Sequence, residues 1–154
     1  MSHSVERVRQ ALLVDGHPDT IARFAEGTHT VAEAAASVGC SEAEIAKSII
    51  FRAGDTPVLV VASGVNRIDR AKVGAALGRK IERADPAWVE QVTGFAVGGV
   101  APVGHLAPAL ILIDQDLMAL DPIWAAAGSP THAFRTSAAE LVRITGGVVA
   151  DVKA

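Results

Sequence analysis

The chain has 154 residues, half of them hydrophobic but only 4% aromatic, with 14 Lys/Arg against 17 Asp/Glu and a single cysteine. A chain of that length forms one core and buries roughly 70% of the surface it would expose unfolded, so folding needs neither disulfides nor a metal. The formal charge of −3 argues against the broad phosphate-neutralising surface of a tight nucleic-acid binder, and the lone Cys40 rules out an internal disulfide.

The opening stretch, Met1 to Arg7, lacks the basic-then-apolar profile of a signal peptide. The longest apolar runs, such as 107–113 with its Pro108, are too short to span a membrane. A soluble cytoplasmic protein is expected. From Ser4 to Val14 the apolar residues Val5, Val8, Ala11 and Leu12 mark one helical face, which Asp15-Gly16-His17-Pro18 breaks. A short strand follows over 20–24. Three Ser/Thr-x-x-Glu boxes then signal helix starts, because the hydroxyl caps a free N–H while the Glu reaches back to the cap. Thr30 with Glu33 opens a helix closed by Gly39, Ser41 with Glu44 a short one leading to Lys47, and Ser137 with Glu140 the last, ended by Gly146-Gly147. Asp69 is a further cap for 70–77, with Gly78 just after it. Asp85-Pro86 and Asp121-Pro122 place proline at a first helical position, which puts Trp88 and Trp124 early in helices as core anchors.

Strand-like runs lie between these helices, at 49–53, 58–62, 80–82, 110–114, 131–135 and 148–152. The first two, split by Gly54-Asp55-Thr56-Pro57, read as a hairpin. Hairpin-linked and helix-separated strands together predict a single α/β domain over 1–154, a curved mixed β-sheet surrounded by helices.

Two segments stand out chemically. In Ala46-Lys47-Ser48-Ile49, Lys47 is placed where a short helix ends and a strand begins. It is either a helix-end cation, worth roughly 0.3–1 kcal/mol, or an ammonium held at the sheet edge for a phosphate, carbonyl or carboxylate. Ser48 either orients a ligand or satisfies the backbone at the turn. The second segment runs Thr93-Gly94-Phe95-Ala96-Val97-Gly98-Gly99-Val100-Ala101-Pro102-Val103-Gly104. Its glycines allow close approach of backbone N–H groups to a ligand, and Pro102 stiffens the exit. Such N–H groups would stabilise the oxyanion formed in ester hydrolysis; an ordinary glycine-rich loop is the alternative. No Gly-Lys-Ser/Thr follows, so it is not a phosphate-binding Walker loop. Cys40 has no local histidine partner and reads as an inert thiol. His3, His17, His29 and His105 lack metal-ligand spacing, and no metal or other cofactor is expected.

These segments, with Leu110-Ile111-Leu112-Ile113-Asp114 and Ala127-Gly128-Ser129-Pro130, resemble the YbaK/ProX-type aminoacyl-tRNA deacylase family in order and over 5–152. The fold of that family is shared with the editing domain inserted in bacterial prolyl-tRNA synthetases. The resemblance implies hydrolysis, without a protein nucleophile, of the ester of a mischarged aminoacyl-tRNA. The substrate class typical of the family is tRNA(Pro) carrying a small amino acid such as Ala or Cys. It assigns Lys47, Gly98 and Gly99 to catalysis. Ser48, Asn66, Val100, Ala101, Pro102, Gly128, Ser129 and His132 are assigned to the pocket. Partners would be the aminoacyl-tRNA 3′ end and a prolyl-tRNA synthetase. Some family members carry an Asp in the stretch matching Thr131-His132-Ala133-Phe134, and in its absence here His132 is either a polar replacement in the pocket or a half-exposed strand histidine. Among the basic residues Arg67, Arg70, Lys72, Arg79 and Lys80, one or two are expected to meet the acceptor stem. The competing readings are a non-catalytic module of the same fold that binds a tRNA end or a nucleotide, and a hydrolase of another small ester or amide.

Overall fold

The computed structural model describes residues 3–25, 28 and 30–154, which leaves the expectations for His29 and for Met1-Ser2 outside the described residues. Among the described residues, five α-helices surround one mixed sheet of eight strands. The helices are α1 (His3–Val14), α2 (Val31–Val38), α3 (Arg70–Leu77), α4 (Pro86–Thr93) and α5 (Ala138–Thr145). The strands are β1 (Ile21–Arg23), β2 (Ile45–Ala53), β3 (Thr56–Ser63), β4 (Glu82–Arg83), β5 (Leu110–Asp114), β6 (Ile123–Ala126), β7 (His132–Thr136) and β8 (Val148–Ala150). They run in the order β1-β7-β6-β2-β3-β5-β8, with β4 added on β2.

Helix ends follow the local chemistry. Thr30 and Glu33 form the reciprocal box of α2, and Gly39 leaves it in the left-handed conformation that a residue without Cβ adopts freely. Asp69 accepts from Ala71 and Lys72 N–H, and Asp85 from Trp88 N–H ahead of Pro86. Ser137 caps Glu140 N–H, but the Glu140 carboxylate turns to Arg143 rather than back to the cap.

The hairpin of β2 and β3 turns on Gly54-Asp55 alone, so Thr56 and Pro57 already belong to β3. Pleat alternation sorts the core into two faces. Leu59, Val61, Ile113 and Phe134 join α1, α4 and α5 in the main cluster. Val58, Val60 and Leu112 face the other way onto Val73 of α3 and Val152. A third cluster sets Ala34 and Ala35 of α2 against Ile45.

Two expectations fail. Ser41-Glu42-Ala43-Glu44 makes only a single 3₁₀ turn, Glu42–Glu44, so Lys47 lies inside β2 and no helix end is near enough to account for its charge. The Asp121-Pro122 peptide is cis, and the residues after it form β6, not a helix. Ile123 and Ala125 are buried while Trp124 and Ala126 are half-buried, a period of two that pairing with β7 and β2 exploits. Trp124 is therefore a strand residue, and only Trp88 sits in a helix.

Candidate functional site

A cleft of about 1100 Å³ opens along β2, where the sheet comes apart between β6 and β4. Its walls include Ile45 to Phe51 of β2, Trp124 to Ala126 of β6, Val97, Gly98 and Val100, and Ser129, Pro130 and His132. The two segments singled out in the sequence thus meet in one place. Lys47, Ser48, Gly98, Val100, Ser129 and His132 line the cleft; Asn66, Gly99, Ala101, Pro102 and Gly128 do not.

Lys47 shares a face of β2 with Ile45 and Phe51, on the α2 and α3 side of the sheet. Burial pushes its ammonium below the ordinary lysine range; Asp114 opposes the shift and Arg67, also on the cleft wall, adds to it. No ion pair or hydrogen bond holds Lys47 among the described residues. Asp114 is itself buried and committed: its carboxylate accepts from Ser63 N–H at 3.1 Å and from the Asn66 amide at 2.8 Å. That second bond corrects the assignment of Asn66. Its amide spans Asp114 and Asp116 and ties the turn after β3 to the end of β5.

Ser48 is not at a turn, so the backbone-satisfying alternative falls. Its hydroxyl is buried and has no partner among the described residues, in a residue that lines the cleft.

The glycine-rich loop is braced from behind by residues that no sequence signal singles out. Arg7 of α1 donates from Nε to Gly104 C=O at 2.6 Å and from a terminal nitrogen to Thr93 C=O at 3.1 Å. Its guanidinium also lies 4.4 Å from the centre of the Phe95 ring. His105, passed over for want of metal spacing, bonds Ala101 C=O through Nε2 at 2.5 Å. Since a carbonyl only accepts, Nε2 carries the proton and the buried, unpartnered Nδ1 is a bare lone pair. Ala101 and Pro102 are buried in this brace.

Gly99 donates its own N–H to Ala96 C=O at 2.9 Å, which removes it as an oxyanion donor. What Gly99 contributes is room, because a Cβ there would lie 2.8 Å from Ser129 Cα. The N–H groups of Gly98 and Val100 have no acceptor among the described residues, and both residues line the cleft. Gly128 lies behind the Ser129 loop, where Ser4 Oγ donates to its carbonyl at 2.6 Å and a Cβ would strike the Ser4 backbone. His132 reaches the cleft with Nδ1 at 2.8 Å from Ser129 Oγ and 3.0 Å from Thr131 Oγ1. Burial, helped by Arg23 and Arg9, holds its pKa below the usual histidine value.

Among the described lining side chains the charged ones are Lys47, Arg67 and Arg83, with no Asp or Glu. Cys40 is half-buried, and burial with the Glu44 charge pushes its thiol pKa up, the opposite of an activated nucleophile. No group of three His, Cys, Asp or Glu among the described residues is placed to hold a metal ion, and none of their helices is long and apolar enough to cross a membrane. The cleft is thus cationic on one face of β2 and neutral on the other, with free N–H groups beside it. That combination suits an anionic ligand carrying a neutral acyl group.

A family model of the aminoacyl-tRNA editing domain matches residues 25–144. The protein YwhH of Bacillus subtilis (strain 168), itself uncharacterised, is 32% identical over 139 residues, covering 90% of this chain and 88% of YwhH. A proline–tRNA ligase of Limosilactobacillus fermentum is 34% identical over 100 residues, which are 61% of this chain and 18% of the ligase. A crystal structure of a candidate trans-editing enzyme for prolyl-tRNA synthetase superposes with a TM-score of 0.95 at 38% identity, over 100% of this chain and 99% of that one. The chain belongs to the aminoacyl-tRNA editing domain family, and its mixed α/β fold is that of the trans-editing neighbour.

Proposed function

We propose that residues 1–154 act as one cytoplasmic deacylase unit that hydrolyses, in trans, the ester of a mischarged aminoacyl-tRNA. The substrate would be tRNA(Pro) carrying a small amino acid such as Ala or Cys, alone or beside a prolyl-tRNA synthetase. The observation that carries this reading is the meeting of Lys47 with the free N–H groups of Gly98 and Val100 at one cleft in a chain of the editing family. Lys47 would hold the 3′-terminal nucleotide, since a poorly solvated, unpaired ammonium gains most from a phosphate or carbonyl oxygen. Gly98 and Val100 N–H would stabilise the oxyanion as water attacks the ester carbonyl. The Cys40 thiol is not activated, and the Ser129–His132 pair, 2.8 Å apart, is assigned to the wall of the acyl pocket; water, oriented by a hydroxyl of the terminal ribose, would be the nucleophile. Ser129 and His132 would bound the acyl pocket, and their neutral character favours a small uncharged side chain.

The test is a deacylation panel of tRNA(Pro) charged with Pro, Ala, Cys or Ser, comparing wild type with Lys47→Ala. Turnover of at least one mischarged species with a loss on the order of 10²-fold in the variant is expected, the scale of removing one charge-stabilising contact. No hydrolysis at enzyme excess removes the enzymatic reading and leaves a binding module; undiminished activity in Lys47→Ala removes the role of the lysine.

A further inference from the structure

The hairpin register exposes a single unpaired residue of β2 to the cleft. Ala53 faces Thr56 across the two-residue turn, and the pairs continue as Arg52–Pro57, Phe51–Val58, Ile50–Leu59, Ile49–Val60, Ser48–Val61, Lys47–Ala62 and Ala46–Ser63. In such a hairpin the pair flanking the turn exchanges both hydrogen bonds and every second pair does the same. Arg52 accordingly falls among the non-bonded pairs, opposite a proline that has no N–H to give. Ala46, Ser48, Ile50 and Arg52 therefore point their N–H and C=O away from β3, and the Phe51–Arg83 register carries the β4 ladder on to Ile50. Ala46 meets β6 opposite Ala125, and Arg52 meets β4 opposite Glu82. Ser48 lies in the gap between those two ladders, and both of its peptide groups face the cleft without a strand partner. The unpartnered, buried Ser48 hydroxyl is beside them.

We infer that this gap is a recognition site for the α-amino ester itself, which Ser48 takes as one residue of an added strand. A residue in a paired strand donates its N–H to the C=O opposite and accepts on its own C=O from the N–H opposite. An aminoacyl ester has the same two groups at the same spacing: its α-ammonium donates to Ser48 C=O, and its ester carbonyl accepts from Ser48 N–H. The Ser48 hydroxyl takes a second ammonium proton. The charges around the cleft agree with that orientation. No described Asp or Glu lines it to neutralise an ammonium, so carbonyl and hydroxyl oxygens must do so, while Lys47 and Arg67 stand on the other face of β2, where the nucleotide phosphate is required. The recognition mode is strand addition cut down to one residue. It rests on the deacylase reading and adds to it a demand for a free α-amino group.

The test compares L-alanyl-tRNA with propionyl-tRNA, which lacks only the amino group, each rate divided by its own spontaneous hydrolysis. Wild type should favour the alanyl ester by at least about 100-fold, the scale on which a site built around a polar group rejects an analogue lacking it. Ser48→Ala should narrow that ratio toward tenfold. Ser48→Pro removes the cleft-facing N–H along with the hydroxyl and leaves the β3 ladder intact, so, unlike Ser48→Ala, it should keep cooperative unfolding yet lose turnover of both esters. Amide exchange supplies a readout that needs no turnover. In the free protein the Ser48 N–H should exchange fast beside a protected Ile49, and the amide analogue 3′-L-alanylamino-3′-deoxyadenosine should protect it. Equal normalised rates on the two esters overturn the inference while leaving deacylation standing. Binding of the analogue without protection of Ser48 overturns it even if no ester is cleaved, and absence of all cleavage with Ser48 protected removes the deacylase reading alone.

Discussion

Gly99→Ala puts the loop geometry under direct test, because it adds one methyl group where two loops touch through backbone. A Cβ at Gly99 would sit 2.8 Å from Ser129 Cα, 2.9 Å from its carbonyl carbon and 3.1 Å from its nitrogen. Ordinary carbon contacts lie at about 3.5–4.0 Å, so the Gly98–Val100 and Ser129–Pro130 segments must separate by roughly 0.7–1 Å. No flexible side chain is available to absorb the clash. Overpacking of this kind costs about 1–3 kcal/mol, which for a domain of this size lowers Tm by on the order of 5 °C. The larger effect falls on chemistry. Gly98 and Val100 N–H and the Ser129–His132 wall face one cleft across that contact, and a displacement of about 1 Å can cost on the order of 10²-fold in rate.

The assay pairs thermal unfolding with single-turnover deacylation of alanyl-tRNA(Pro), using Gly146→Ala as the control. Gly146 has a left-handed φ, of 68°, but its Cβ would meet nothing within 4 Å and it ends α5 away from the cleft. The control should lose comparable stability, from the roughly 1–2 kcal/mol cost of a left-handed Ala, and keep its rate. Gly99→Ala with a rate within twofold of the control would refute the claim that contact between these loops sets the catalytic geometry.

Three further outcomes follow from the electrostatics. Burial lowers the Lys47 pKa in the fold, so between that value and the ordinary 10.5 the unfolded chain binds more protons and stability rises with pH; Lys47→Met should melt higher than wild type at pH 7, and a gap between their melting curves that fails to narrow by pH 10 would contradict this. His105 is likewise depressed, by burial acting against its bond to Ala101. Its contribution is complete above pH 6.5 and drains away as the pH falls toward the folded value, so urea midpoints between pH 7.5 and 5 should fall less for the non-titrating His105→Gln. Arg67, Arg70, Arg79 and Arg83 carry no ion pair among the described residues, whereas Lys72 is tied to Asp151 and Lys80 to Glu82. A plot of log Kobs against log salt for tRNA should therefore have a shallow slope of roughly −2 to −4, with Arg67→Ala removing about one phosphate's share; a slope near −8 would reveal a basic face larger than these four residues.

Much of the framework was legible because its signals are local. The caps at Thr30, Asp69, Asp85 and Ser137 act within one turn of chain, and the Gly54-Asp55 hairpin is decided by its own residues. The failures occur where distant partners decide. The run 123–126 is equally presentable as a helix start after Asp121-Pro122, and only β7 and β2 on either side make it a strand. Lys47 and Gly98 were visible as residue types, but the brace behind the loop was not. Arg7 reaches Gly104 across 97 positions of chain, and neither its helix nor its neighbours distinguish it from a solvated arginine. Asn66 shows the converse, a polar residue near a basic run that reads as a ligand contact and is consumed by two carboxylates, the buried Asp114 and the exposed Asp116.

The position of the cleft follows from the same long-range pairing. An antiparallel hairpin strand has a second edge that must be covered, and β2 is covered by two different partners: β6 in parallel at Ile45 and Ala46, and β4 antiparallel at Phe51 and Arg52. A parallel and an antiparallel neighbour cannot merge into one strand, so the stretch between them stays open. Free peptide groups at the edge of a sheet are elsewhere a liability, since they template aggregation. Here the gap spans only the few residues between Ala46 and Phe51, and α2, the glycine-rich loop and the Ser129 loop stand around it. That is too short to pair with a neighbouring chain and long enough for one amino acid. The lysine that flanks it is partly desolvated and has no ion-pair partner among the described residues. An open edge and an uncompensated cation side by side make sense together only if a ligand with an acyl group and a negative charge completes both.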